Sequence, residues 1–147
     1  TLRIEMGHIA GSELDGRTIP YDNSLEGLVS KKKDFIGKRS LEREAFIAED
    51  RQKVVGVVPI DKKTSIPEGS HLVKDAMAPT PNPKLGYISA SCWSVEYDNP
   101  FSLAILKDGK NMIGQKLFAM SPLKNKTIPV EIVSSHYVDP KGERVRS

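Results

Sequence analysis

Gln52-Lys53-Val54-Val55-Gly56-Val57-Val58-Pro59-Ile60 is where this sequence changes its period. Before it, glycine and proline interrupt the chain every few residues. After it, apolar residues alternate with polar ones or run in short blocks. Val54–Val58 is strand-sized and rich in β-branched residues, which suit a pleated, half-buried surface. Segments 53–60, 70–74, 85–93, 101–107, 113–120 and 127–134 read as strands. Turn chemistry separates them at Pro67-Glu68-Gly69, the Pro79/Pro81/Pro83 cluster, Asp98-Asn99-Pro100, Asp108-Gly109-Lys110 and Asn125-Lys126. Asp108-Gly109, between Leu106 and Ile113, predicts a hairpin. Lys116–Met120 and Ile128–Val133 each pair an inside face with an outside one, with Pro129 at an edge or bulge. Six short strands so spaced predict a mainly β fold, a small antiparallel barrel or sandwich.

Upstream of this block the period is helical only once. Leu41, Ala45 and Ala48 recur at helical spacing beside Phe46, predicting a helix over 37–50 with Glu42, Arg43, Glu44, Glu49 and Asp50 solvated. Residues 1–30 are turn-rich, and Asp15-Gly16-Arg17-Thr18-Ile19-Pro20 reads as turn. Thr1–Met6 reads as the last turns of a helix capped by Gly7. The start, Thr1-Leu2-Arg3-Ile4-Glu5, has no basic and then apolar leader pattern, so it is not a signal peptide. It predicts a piece cut from the C-terminal end of a longer polypeptide.

Composition bounds the function. The chain has 147 residues, 22 Lys plus Arg and 19 Asp plus Glu, for a net charge of +3. That balance is too mild to argue for nucleic acid and too apolar for disorder. No run of about 18 apolar residues exists, so no helix of this chain is predicted to span a membrane. A lone cysteine, Cys92, excludes an intrachain disulfide and a cysteine-based zinc site; beside Trp93 it reads as a small buried hydrophobe. His8, His71 and His136 lie far apart and form no ligand-spaced pair, so no metal site is expected. No phosphate-binding glycine loop appears: Gly7 and Gly11 lack the strand-turn-helix setting. Lys31-Lys32-Lys33 with Lys38-Arg39 reads first as a solvated surface and second as an attractor of a small anion. No aromatics interleave to stack on bases.

Several blocks are similar to the glycine-cleavage T protein (aminomethyltransferase) superfamily: Leu2-Arg3-Ile4-Glu5-x-Gly7, then Gly11, Glu13 and Asp15, Thr18-x-Pro20, Leu25-x-x-Leu28-Val29, and Lys32-Lys33-Asp34-Phe35-Ile36-Gly37-Lys38-Arg39-Ser40-Leu41. Ile66–Gly69, Gly86–Ser91, Ser102–Ile105 and Tyr137-Val138-Asp139-Pro140-x-Gly142 continue the match. Within the superfamily, the Lys-Lys-Asp-Phe-Ile-Gly block, Glu49-Asp50-Arg51, Leu106-Lys107-Asp108-Gly109-Lys110-Asn111-x-Ile113-Gly114 and Asp139-Pro140-x-Gly142-x-Arg144 resemble the alpha subunits of heterotetrameric sarcosine oxidases. The resemblance covers essentially the whole chain. It implies a strip of a folate-binding domain over 1–50, with a helix near 37–50, and a Greek-key-like C-terminal barrel of about six strands over 51–147.

The resemblance further implies a cytoplasmic enzyme that oxidatively demethylates sarcosine and passes the one-carbon unit to tetrahydrofolate. FAD, FMN and NAD would be held elsewhere in the complex, the partners being the other subunits and folate. The isolated fragment would be inactive, with most of the folate site and the assisting acid upstream, so no catalytic residue is assigned. The alternatives are a stand-alone folate-dependent aminomethyltransferase and a purely structural subunit-docking barrel. Two matched positions fall in the family's folate site, Arg3 and Glu5. An arginine fork suits a carboxylate or a pterin oxygen. If residues 1–6 are helical, positions two apart point about 200° apart. Only one of the two can then face the ligand; the resemblance, in which Arg3 falls on the family's folate-contacting arginine, implies that it is Arg3, leaving Glu5 to a structural ion pair. Where T proteins commonly carry an aromatic before the glycine matching Gly11, this chain has Ala10.

Overall fold

In the computed structural model, which describes residues 1–77, 83–144 and 146, six antiparallel strands close a barrel in the order β1-β4-β3-β2-β5-β6. The strands are β1 (Lys53–Pro59), β2 (His71–Val73), β3 (Gly86–Ser94), β4 (Asn99–Leu106), β5 (Lys116–Ser121) and β6 (Lys126–Val133). β2, β3 and β4 are consecutive neighbours, and β1 lies beside β4 by a longer link, a Greek-key pattern. β6 returns to pair with β1, with Val57 opposite Ile132, so no long sheet edge is left to aggregate. Every strand read from the sequence is present. Pro79 and Pro81, read as turn, lie outside the described residues.

Two cores share one wall. Val55, Val57, Leu72, Ile88, Ala104, Leu106, Leu117, Val130 and Ile132 fill the barrel. Val54, Val58, Ala90, Phe101, Leu103 and Ile105 face outward yet are also buried, under Ile4 and Tyr137. That is why β4 reads as the unbroken run Phe101-Ser102-Leu103-Ala104-Ile105-Leu106, buried at every position. β5 and β6, covered on one side only, keep the alternation expected of them. On the outer face Phe101 stacks on Tyr137 at 4.3 Å and 6° between planes, and Tyr97 meets Tyr137 edge-on at 4.7 Å. The Asn99 amide donates to the Tyr137 hydroxyl at 3.1 Å. Gly56 lies beneath this stack: a Cβ there would sit 2.7 Å from the Phe101 ring and 2.4 Å from the Ser134 carbonyl oxygen.

Pro129 occupies a local edge. Its carbonyl accepts the Ile60 amide at 3.0 Å, so the amide that proline lacks would have faced the same side, just past the end of β1.

Two expectations are corrected. Asp108-Gly109 does not make a hairpin, because both edges of β4 are already taken by β1 and β3. Asp108, at φ 55°, instead opens a chain of turns that lowers Met112 into the barrel core, and β5 starts only at Lys116. The helix over 37–50 is also broken. α2 (Lys38–Leu41) and α3 (Glu44–Ile47) are single turns separated at Arg43, which is extended at ψ 140°. Ala45 and Ala48 are exposed, so the far half of the apolar stripe covers no surface among the described residues. The Ala45 carbonyl, which a continuing helix would bond to Glu49, accepts from Arg51 Nη1 at 2.9 Å.

α1 (Leu2–Glu5) forms as read and ends at Gly7, whose φ of 69° is the left-handed conformation of a helix C-cap. Ile4 seats α1 on the outer core. Asp22 and Arg51 tie the next turns to the start of β1: Arg51 donates through Nε at 2.7 Å and Nη2 at 2.6 Å, and the Asp22 carbonyl accepts the Val54 amide at 2.7 Å.

Candidate functional site

Arg3 and Glu5 leave α1 in different directions, as helix geometry demands. Glu5 turns into the fold. It is 4% exposed, and its carboxylate accepts the Val95 amide at 2.9 Å, at the turn joining β3 and β4. Its own carbonyl accepts the Val138 amide at 3.1 Å. Glu5 thus fastens α1 to the β3–β4 turn and to the C-terminal segment. Its described partner is a backbone amide, where the sequence suggested an ion pair.

Arg3 turns the other way. Its Nη1 donates to the His8 carbonyl at 2.9 Å and reaches Glu13 at 3.3 Å. Both described bonds leave from Nη1, so Nη2 and Nε have no described partner. The side chain is 36% exposed, while Glu13 is fully buried. A planar donor fork half in solvent and anchored at its other half by a buried carboxylate is pre-organised to meet a carboxylate or a carbonyl.

Glu13 is the residue that sequence reading left without a role. It accepts the Ala10 amide at 2.8 Å and the Ser12 hydroxyl at 2.9 Å. The Glu13 amide donates back to the Ala10 carbonyl at 2.9 Å, closing the turn between the two residues. Ser89, at the bulge between Ile88 and Ala90 of β3, brings a hydroxyl beside it. Burial alone would raise the Glu13 carboxyl. Hydrogen bonds from Ser89, Ala10 and Ser12, with the Arg3 charge, outweigh burial and hold it below the usual value.

The sign of the consequence is fixed. A carboxylate with a lowered native pKa adds stability above its unfolded pKa of 4.5, and that stability is lost as pH falls through the native value. Glu13→Gln is expected to flatten the loss of stability on acidification below about pH 4.5. At neutral pH it should cost about 1–3 kcal/mol, because only one accepting oxygen remains and the charge facing Arg3 is gone. Urea midpoints across pH 3–7 check this; an unchanged acid slope would sink it.

The remaining candidates carry no further chemistry. The Cys92 thiol, half-buried against the outer core, is pushed up by burial and then by Glu5, away from a reactive thiolate. Among the described residues, no group of three His, Cys, Asp or Glu side chains could hold a metal, and no helix is long and apolar enough to cross a membrane. Lys31–Lys33 lie exposed on a loop, and Lys38 bonds back to the Lys31 and Lys33 carbonyls at 3.3 and 3.2 Å.

No family model matches the sequence. The fold is that of an aminomethyltransferase T protein: glycine cleavage system aminomethyltransferase T from Bartonella henselae superposes at a TM-score of 0.71 and 21% identity, over 94% of this chain and 37% of that one. The sequence resolves the class further. It is 35% identical over 145 residues to sarcosine oxidase subunit alpha of Rhizobium meliloti (strain 1021), covering 98% of this chain and 15% of that subunit. It is 38% identical over 146 residues to the same subunit of Corynebacterium sp. (strain U-96), covering 97% and 15%. Aminomethyltransferase of Prochlorococcus marinus (strain NATL1A) is 28% identical over 107 residues, 71% of this chain and 27% of that one. The chain is a homologue of the C-terminal part of sarcosine oxidase alpha subunits and, at lower identity, of aminomethyltransferases. It spans 15% of the length of the sarcosine oxidase subunits it matches.

Proposed function

We propose that this chain is the C-terminal portion of the tetrahydrofolate-binding half of a sarcosine oxidase alpha subunit. The complex would oxidatively demethylate sarcosine to glycine and transfer the one-carbon unit to tetrahydrofolate. One observation carries the reading. Sarcosine oxidase alpha subunits match end to end at 35–38% identity, while the aminomethyltransferases that match over 71–95% of the chain do so at only 24–28%. Residues 1–50 are a strip of the folate-binding domain and 51–147 its C-terminal barrel. The barrel docks and closes the site; the redox chemistry, with FAD, FMN and NAD, belongs to the rest of a cytoplasmic complex, and the isolated chain is inactive.

The Arg3 geometry fits a folate. Its fork keeps Nη2 and Nε available, and it is held in place by Glu13 and the His8 carbonyl. Glu5, buried on the Val95 amide, serves this reading as the fastener of α1 and not as a ligand contact. Arg3→Ala in the full complex is expected to weaken tetrahydrofolate binding by about tenfold or more, the loss of one charge-assisted pair at roughly 1.5–3 kcal/mol. Flavin reduction by sarcosine should stay within about twofold, since a change that small in rate is well under 1 kcal/mol. Calorimetry and anaerobic flavin bleaching read the two. Equal loss of both would make Arg3 a purely structural residue.

A further inference from the structure

From Ser24 to Asp50 no residue is buried. Yet the segment is not polar. Leu28, Ile36 and Ile47 are 80%, 104% and 60% exposed, and Phe35 39%. Pro20, Leu25, Leu28, Val29, Phe35 and Leu41 line one apolar groove. Its helical support among the described residues is short, a 3-10 turn at Glu26–Leu28 and the four-residue turns α2 and α3, and single turns do not persist in water without a surface to pack on. Apolar side chains gathered in one open groove mark an interaction site.

The rim is mainly basic: Lys33 lines the groove beside Asp34, with Lys31, Lys32 and Arg39 near in sequence. The ammonium groups of Lys31, Lys32 and Lys33 and the Arg39 guanidinium have no described partner, and Asp34, the one acid between Lys31 and Arg39, is taken up by Lys38 at 3.6 Å. A complementary surface therefore carries an apolar ridge flanked by carboxylates. The barrel offers none, being closed and already covered on its β1–β4–β3 wall. The polypeptide of the relatives does extend well beyond the aligned stretch, which is 15% of the subunit from Rhizobium meliloti.

We infer that the Leu25–Leu41 groove and its lysine rim form an intrachain docking face whose occupant is an acidic-flanked apolar surface of the parent polypeptide outside these residues. This rests on the reading of the chain as a segment of a longer subunit, but its test involves no folate. Loss of tetrahydrofolate binding would leave it standing.

The test is thiol reactivity in the full-length polypeptide. Leu28→Cys, with Phe35→Cys as a second variant, is labelled with maleimide natively and after unfolding in guanidinium, and read by mass spectrometry at the peptide carrying the new cysteine. Native labelling is expected to be about tenfold slower or more, the protection given by an opening cost of about 1.4 kcal/mol. Reversing Lys31, Lys32 and Lys33 to Glu should raise the native rate. Labelling as fast natively as unfolded overturns the inference. So does protection lost on dilution, which means a second copy, or protection gained only with phosphatidylserine vesicles, which means a membrane. An open reading frame without further residues overturns it too.

Discussion

Phe101→Ala is expected to remove about 3–5 kcal/mol of unfolding free energy, the usual loss for truncating a buried phenylalanine. Stability for a domain totals about 5–15 kcal/mol, so about a fifth of it or more should go. The reason is where the ring sits. It is fully buried yet outside the barrel, between Gly56 and Tyr137. Glycine at 56 leaves no Cβ to fill the space, and the Ser134 carbonyl is fixed backbone. The cavity therefore cannot collapse from below. From above, Tyr137 is held by Tyr97 and by the Asn99 amide. Tyr137→Phe keeps the stack and loses one hydrogen bond, so it should cost about 1 kcal/mol. Equilibrium urea unfolding of the two variants measures the contrast. A Phe101→Ala loss under about 1 kcal/mol would mean that the C-terminal segment does not cover the barrel wall.

The strands were legible because each answers to a local demand. Alternation in β5 and β6 and the unbroken run in β4 follow from one-sided and two-sided burial, and burial leaves a pattern in sequence. The hairpin at Asp108-Gly109 failed because turn chemistry reports the bend and not the neighbour. Whether β4 has an edge to give is settled by β1 and β3, from elsewhere in the chain. The 37–50 helix failed for a related reason. Its stripe is only partly covered: Leu41 and Phe46 meet the turns around them, while Ala45 and Ala48 lie exposed. At the site, the opposite directions of Arg3 and Glu5 followed from helix geometry alone. Their partners did not. Val95 reaches Glu5 from the turn after β3, Arg3 finds the buried Glu13, and Ser89 reaches Glu13 from β3; no spacing announces that. Only the Ala10–Glu13 back-bond had a local signature, a glutamate three residues on.

Arg51→Ala is expected to cost about 2–4 kcal/mol, somewhat under the usual figure for breaking a buried pair, because Arg51 is itself 21% exposed. Asp22 is the residue that suffers. It is 1% exposed, and without the guanidinium its carboxylate keeps only the Ile19 amide at 3.1 Å and Gln52 at 3.4 Å. The same arginine holds the Ala45 carbonyl and lies 5.2 Å over the Phe46 ring, so one substitution loosens α3 and the turn at Asp22 together. The two effects separate in a double variant. Asp22→Asn removes the stranded charge, so Asp22→Asn/Arg51→Ala should recover part of the Arg51→Ala loss. Hydrogen exchange at Val54, whose amide bonds the Asp22 carbonyl at 2.7 Å, should quicken in Arg51→Ala and slow again in the double variant. No recovery in either measurement would place the work of Arg51 in Phe46 and Ala45. The turns before β1 would then be held to the barrel by packing, with the buried pair contributing little.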